Sequence, residues 1–193
     1  MKRLNLILIL IVAIIYQSCS ILNQAGEYER FISSNFKLVN VDILEMGGVN
    51  LEGVQDKSAL NVGDIMTLTG RMFSGGMPTK LRANIEVTNN SAAIAAISGM
   101  EWILNMKGTQ YALGVVENRV EVQPNSNTIF PVNTEIDLVK VLQSESLPQI
   151  LQVVLNMDDY EQIKKLDLEL KIKPYYKSGS GVKEYPGYIT LRP

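Results

Sequence analysis

Leu81-Arg82-Ala83-Asn84-Ile85-Glu86-Val87-Thr88 and, toward the other end of the chain, Leu166-Asp167-Leu168-Glu169-Leu170-Lys171-Ile172-Lys173 alternate apolar and polar side chains without a break. Successive side chains of a strand point to opposite faces, so each stretch presents one face to a core and the other to water. A helix would scatter the same residues around its axis. The two stretches therefore predict half-buried β-strands.

Working outward, weaker strand signals occupy Phe36 to Leu44, Val49 to Val54, Asp64 to Phe73, Glu101 to Met106, Tyr111 to Val115, Arg119 to Val122, Thr128 to Val139 and Tyr188 to Leu191. Turn residues punctuate them at Gly47-Gly48, Gly75-Gly76, Asn89-Asn90-Ser91, Lys107-Gly108, Pro124 to Asn127 and Ser178 to Gly181. Many short strands with one apolar face each predict a mainly β fold, an antiparallel β-sandwich of immunoglobulin or fibronectin-III type, in which two sheets bury those faces against each other. One helix is expected near residues 147–156, where Leu147, Ile150, Leu151, Val154 and Leu155 form one apolar stripe and Ser146 with Gln149 has capping-box spacing. Asp158 and Glu161 repeat that spacing and suggest a single helical turn.

Residues 1–18 have the order of a secretory signal: Lys2 and Arg3, an apolar run from Leu4 to Tyr16, then Gln17-Ser18. The apolar run would span about 20 Å as a helix, short of the roughly 30 Å of a bilayer core. Cys19 is the only cysteine and stands where lipoprotein processing attaches diacylglycerol, so cleavage before it and lipid on its thiol are expected. Two or three acyl chains hold a protein on a membrane stably, where one does so only marginally. Ser20, in place of Asp, resembles the label for the outer membrane, and no acidic run follows it, so a periplasm-facing location is expected. Residues 19–35 read as a lipidated tether, with a short helical turn allowed at its end, and 36–193 as a single β-sandwich domain. Loss of Lys2 and Arg3 leaves 16 basic against 20 acidic residues, a net charge of −4, and an acidic chain is a poor partner for nucleic acid.

Three pieces of the chain carry a resemblance. Ala83 to Asn90 is a strand ending in an Asn-rich turn, Met100 to Gly108 a strand running into a short glycine turn, and Val122 to Val132 a strand entered through the polar turn Pro124-Asn125-Ser126-Asn127. In that order they resemble the water-stress and hypersensitive-response domain of the type 2 late-embryogenesis-abundant proteins, with Asn90 standing where that family carries proline. The resemblance covers most of residues 36–173. It implies an immunoglobulin-like sandwich, no catalytic residue to carry over, and roles in stress or desiccation tolerance and in lipid handling. A shared fold does not by itself establish a shared function.

The chain has no histidine, and the anchor consumes Cys19. Ser-His-Asp and Cys-His catalysis and His- or thiolate-ligated zinc are thereby removed, no phosphate-binding glycine loop occurs, and no cofactor is expected. Asp158, Asp159 and Glu161 are the carboxylates best placed for a calcium site or acid-base pair, but their spacing departs from the calcium loop and suits helix capping. Ser178 to Gly181 has the composition of a phosphate nest as well as of a hairpin turn. Tyr175, Tyr176, Tyr185 and Tyr188 flank that turn and could form an aromatic platform for sugar or peptide, or simply pair across strands. Trp102 alternates with Leu104 and Met106 and reads as core.

The expected function is thus that of a non-enzymatic envelope lipoprotein, bound to the membrane through lipid on Cys19 and engaging or protecting a lipid or an envelope protein. The alternative is a carrier of lipid or another apolar ligand between the sheets, lidded by the Leu147 to Leu155 helix. A carboxylate enzyme is the third reading.

Overall fold

The computed structural model describes residues 23–54, 59–141, 150, 167–178 and 181–192. The chain enters through a helix, α1 (23–32), followed by β1 (Asn35–Met46), β2 (Val49–Asn50), α2 (Val62–Phe73), β3 (Pro78–Asn89), β4 (Ala95–Ile97), β5 (Gly99–Met106), β6 (Thr109–Val116), β7 (Val120–Val122), β8 (Ser126–Asp137), the single-turn α3 (Leu138–Val141), β9 (Leu168–Ser178), β10 (Gly181–Glu184) and β11 (Ile189–Leu191). One sheet has the order β2-β1-β3-β8; the other has the order β6-β5-β9, with β10 and β11 following each other along the free edge of β9. β4 and β7 make a small third pair. The pairings between these strands are antiparallel, so the expected mainly β, antiparallel sandwich is the observed class.

Alternation does what it predicts. Leu81, Ala83, Ile85 and Val87 of β3 are buried, as are Leu168, Leu170 and Ile172 of β9 and Trp102, Leu104 and Met106 of β5, and they join one core between the sheets. Their polar neighbours face out and pair across strands: Asn84 Nδ2 donates to Asn40 and to Asp42 at 2.8 Å, and Lys80 meets Glu45 at 2.7 Å. Two hairpins are tight because their two connecting residues both take positive φ, Gly47 (57°) with Gly48 (93°) and Lys107 (49°) with Gly108 (74°), the turn whose twist matches that of the strands.

Three expectations are corrected. Residues 64–73, read as a strand, belong to α2. Asn61 Oδ1 accepts from Asp64 N at 2.9 Å and the Asp64 carboxylate accepts from Asn61 N at 3.0 Å, a reciprocal cap that starts the helix. Thr67 and Thr69, the residues that favour a strand, instead donate their hydroxyls to the carbonyls of Gly63 and Ile65 one turn back. Residues 23–32, read as tether, are helical and packed, with Tyr28 and Phe31 buried and Phe31 meeting the Phe36 ring edge-on at 5.5 Å. The folded body therefore begins at least a dozen residues before Phe36. The strand read as Thr128 to Val139 ends at Asp137, whose Oδ1 accepts from Met77 N at 2.8 Å and Val139 N at 3.2 Å and turns the chain into α3.

The helix expected near 147–156 and the turn at Asp158 to Glu161 lie outside the described residues, apart from Ile150, which is helical and buried in the core.

Candidate functional site

Cys19, Asp158, Asp159 and Glu161 also lie outside the described residues. Of the other candidates, Ser178 and Gly181 face each other across the β9–β10 hairpin and Ser178 Oγ donates to Gly181 O at 3.1 Å, so this hydroxyl serves the turn. The four tyrosines do not assemble an exposed platform. Tyr175 and Tyr176 are buried, Tyr185 packs against the core, and Tyr188 stays exposed. Tyr176 lies under α1, its ring 4.8 Å from that of Tyr28, whose hydroxyl donates to Pro174 O at 3.4 Å. Burial, reinforced by Tyr176, Tyr185 and Glu184, pushes the Tyr28 hydroxyl up to about 12, and burial also raises Tyr175. Trp102 is a core residue, its ring lying against Gly114, where a β-carbon would sit 2.5 Å from Cζ2.

Several charged side chains on the sheet faces pair with one another. Glu169 takes Lys171, Arg192 and Asn105 as partners, and those hydrogen bonds hold its carboxyl down at about 2. Lys173 pairs with Glu184, and Arg119 bridges Glu27 of α1 and Glu121 of β7. Among the described residues no group of three His, Cys, Asp or Glu side chains is placed to hold a metal ion.

Among the described residues two surface grooves stand out. The smaller, of about 270 Å³, is lined by Pro78, Tyr111, Glu135, Ile136, Asp137 and Lys140 near the end of β8. The larger, of about 400 Å³, lies between α1 and the turn after β3, lined on one side by Gly26, Glu29 and Arg30 of α1 and by Ser33 and Ser34 just beyond it, and on the other by Asn89, Asn90 and Ser91. Both open to solvent at the surface. The floor of the larger groove is rigid because Asn89 is buried and fully bonded: its Nδ2 donates to Ala93 O (2.8 Å), Gln123 O (3.1 Å) and Val122 O (3.2 Å), and its Oδ1 accepts from Ser91 N (3.0 Å) and Ser91 Oγ (2.7 Å). One amide thus ties the β3–β4 turn to the β7–β8 turn. The wall is fixed by Arg30, whose Nε donates to Ile94 O at 2.7 Å.

This groove was not foreseen from the sequence, since its helical wall lay in the supposed tether. The available signal was the spacing of Tyr28, Phe31 and Ile32, which sets three apolar side chains on one helical face. The opposite wall, Asn89 to Ser91, reads as a turn in the sequence, with nothing there to mark its partner.

No family model matches the sequence, and no curated protein does. Among solved structures the chain is similar to a protein from Archaeoglobus fulgidus, at 19% identity over 58% of this chain and 80% of that one with a TM-score of 0.34. It is similar to an Arabidopsis thaliana protein solved in solution, at 12% identity over 80% and 76% with a TM-score of 0.40, and to a candidate late-embryogenesis-abundant protein, at 13% identity over 93% and 84% with a TM-score of 0.35. At these identities, and with TM-scores below 0.5, the likenesses carry neither family membership nor function to this chain.

Proposed function

We propose that the chain is a non-enzymatic envelope lipoprotein, held by lipid on Cys19 at the periplasmic face of the outer membrane, whose sandwich binds or protects envelope components in the manner the type 2 late-embryogenesis-abundant resemblance implies. The observation that carries the reading is the single thiol placed at the end of an apolar run that follows Lys2 and Arg3. Two features of the body support it. Its first described helix is packed onto one end of the sandwich, so a short stretch of chain joins the anchor to a folded domain. Several of its surface ion pairs, among them Lys80 with Glu45 and Lys173 with Glu184, join neighbouring strands.

Mass spectrometry of the chain from its membrane fraction, with and without a lipoprotein signal-peptidase inhibitor, tests the anchor. Cleavage before residue 19 and added acyl mass on Cys19 are expected, with precursor accumulating under the inhibitor. Unchanged processing and fractionation of a Cys19→Ala variant would remove the anchor reading.

A further inference from the structure

The end of the body that carries α1 is the end the anchor can reach. From Cys19 to Asn23 a fully extended chain spans at most about 14 Å. The sandwich is much longer than that. β1 is 12 residues long, roughly 40 Å at the rise of a strand, and runs from beside Thr88 at the α1 end to beside Thr79 at the α2 end. A bilayer that holds the lipid on Cys19 therefore lies against the α1 end and leaves α2, with its exposed Val62, Met66 and Phe73, remote from it.

The larger groove opens at that same end, beginning at Gly26, one helical turn from Asn23. Its chemistry is that of a receptor for a dipolar group. Arg30 uses Nε on Ile94 O, and among the described residues its Nη atoms and the Glu29 carboxylate have no hydrogen-bond or ion-pair partner. Gly26 leaves room for the guanidinium, since a β-carbon there would sit 3.2 Å from Nη1. The Ser33 and Ser34 hydroxyls donate back to the carbonyls of Glu29 and Arg30 at 2.8 and 2.9 Å, which leaves their oxygens free to accept. A guanidinium suits phosphate oxygens. A carboxylate, two accepting hydroxyls and the negative C-terminal end of α1 suit an ammonium group. A purely anionic headgroup would meet Glu29 and the helix end unfavourably.

We infer that the α1 end rests on the bilayer that holds the Cys19 lipid, and that the groove between α1 and the Asn89–Ser91 turn takes the phosphate and primary ammonium of an aminophospholipid headgroup from that bilayer. This rests on the anchor reading above. Arg30 meets the phosphate; Glu29, Ser33 and Ser34 meet the ammonium.

The test uses the mature lipidated chain, its acyl mass verified, in vesicles of phosphatidylethanolamine with phosphatidylglycerol or of phosphatidylglycerol alone. Lipid occupies the single native thiol, so a nitroxide can be placed on Phe73→Cys or on Ala92→Cys, in the same turn as Asn90 but outside the groove lining and exposed. In ethanolamine-containing vesicles the Ala92→Cys label should be shielded from a water-soluble nickel relaxant while the Phe73→Cys label stays open to it. Glu29→Gln or Arg30→Gln, or omission of the ethanolamine lipid, should raise the accessibility of the Ala92→Cys label by about tenfold, the factor carried by one charge-assisted hydrogen bond. Glu29 is exposed, so its replacement leaves folding intact if Arg30→Gln does not. A chain without acyl mass would take down the anchor reading and this inference together. A lipidated chain whose two labels are equally open would overturn the inference alone, and shielding indifferent to headgroup and variant would overturn the assignment of the groove.

Discussion

Replacing Asn89 with alanine should be among the most damaging single changes outside the apolar core. The side chain is 1% exposed and its amide serves three backbone carbonyls while its oxygen serves the amide and hydroxyl of Ser91. Alanine removes both donor hydrogens and the acceptor, and the bond it takes from Val122 O is a buried one. At roughly 1 kcal/mol net for each hydrogen bond, and 1–3 kcal/mol for a buried carbonyl left without a donor, the loss is about 3–4 kcal/mol. That is a large fraction of the total stability of an ordinary domain and corresponds to a fall of roughly 10 °C in Tm. Trp102 is the only tryptophan and is buried in β5, so its fluorescence reports unfolding in urea or on heating. Asn90→Ala, at the exposed next residue, is the control and should lie within about 0.5 kcal/mol of the parent. If Asn89→Ala matched that control, the amide would not be the tie between the two turns.

Other outcomes follow from the same geometry. Phe31→Ala empties a fully buried site beneath α1 and should cost about 3–5 kcal/mol; urea unfolding with a loss under about 1 kcal/mol would return residues 23–32 to the status of a tether. Gly114→Ala sets a β-carbon 2.5 Å from the Trp102 ring and should cost about 1–3 kcal/mol of overpacking and shift the emission maximum, whereas an unshifted spectrum would mean the ring is not pinned there. The carboxyl of Glu169 is held at about 2, below its ordinary 4.5, by Lys171 and Arg192. Its contribution to stability is therefore complete above about 4.5 and is lost as pH falls toward 2. Glu169→Gln should flatten that part of the acid limb, and an unaltered acid limb in the variant would show that the pairs contribute nothing.

Much of the architecture was legible in the chain because a strand with one wet face must alternate. Leu81 to Thr88 and the stretch ending at Lys173 could hardly be anything else, and Gly47-Gly48 and Lys107-Gly108 announced turns whose backbone demands positive φ. β4 and β10, of three and four residues, are too short for a period to show. α2 was misread because Thr67, Thr69 and Ile65 favour strands locally, while the cap formed by Asn61 and Asp64 and the docking of Leu68 favour a helix. Local preference was the weaker force.

Composition and order alone determined the mainly β class, the absence of imidazole and thiolate chemistry in the body and the candidate anchor at Cys19. Tertiary structure decided what the N-terminal residues do. Tyr28 is buried because Pro174 and Tyr176 come from the far end of the chain to receive it, while Phe31 packs on nearby Phe36, and that packing sets Glu29, Arg30, Ser33 and Ser34 against the Asn89 turn. A period can be read along a sequence, since it is set by neighbours on one strand; a groove between a helix and a turn some sixty residues away exists only once the sheets have closed.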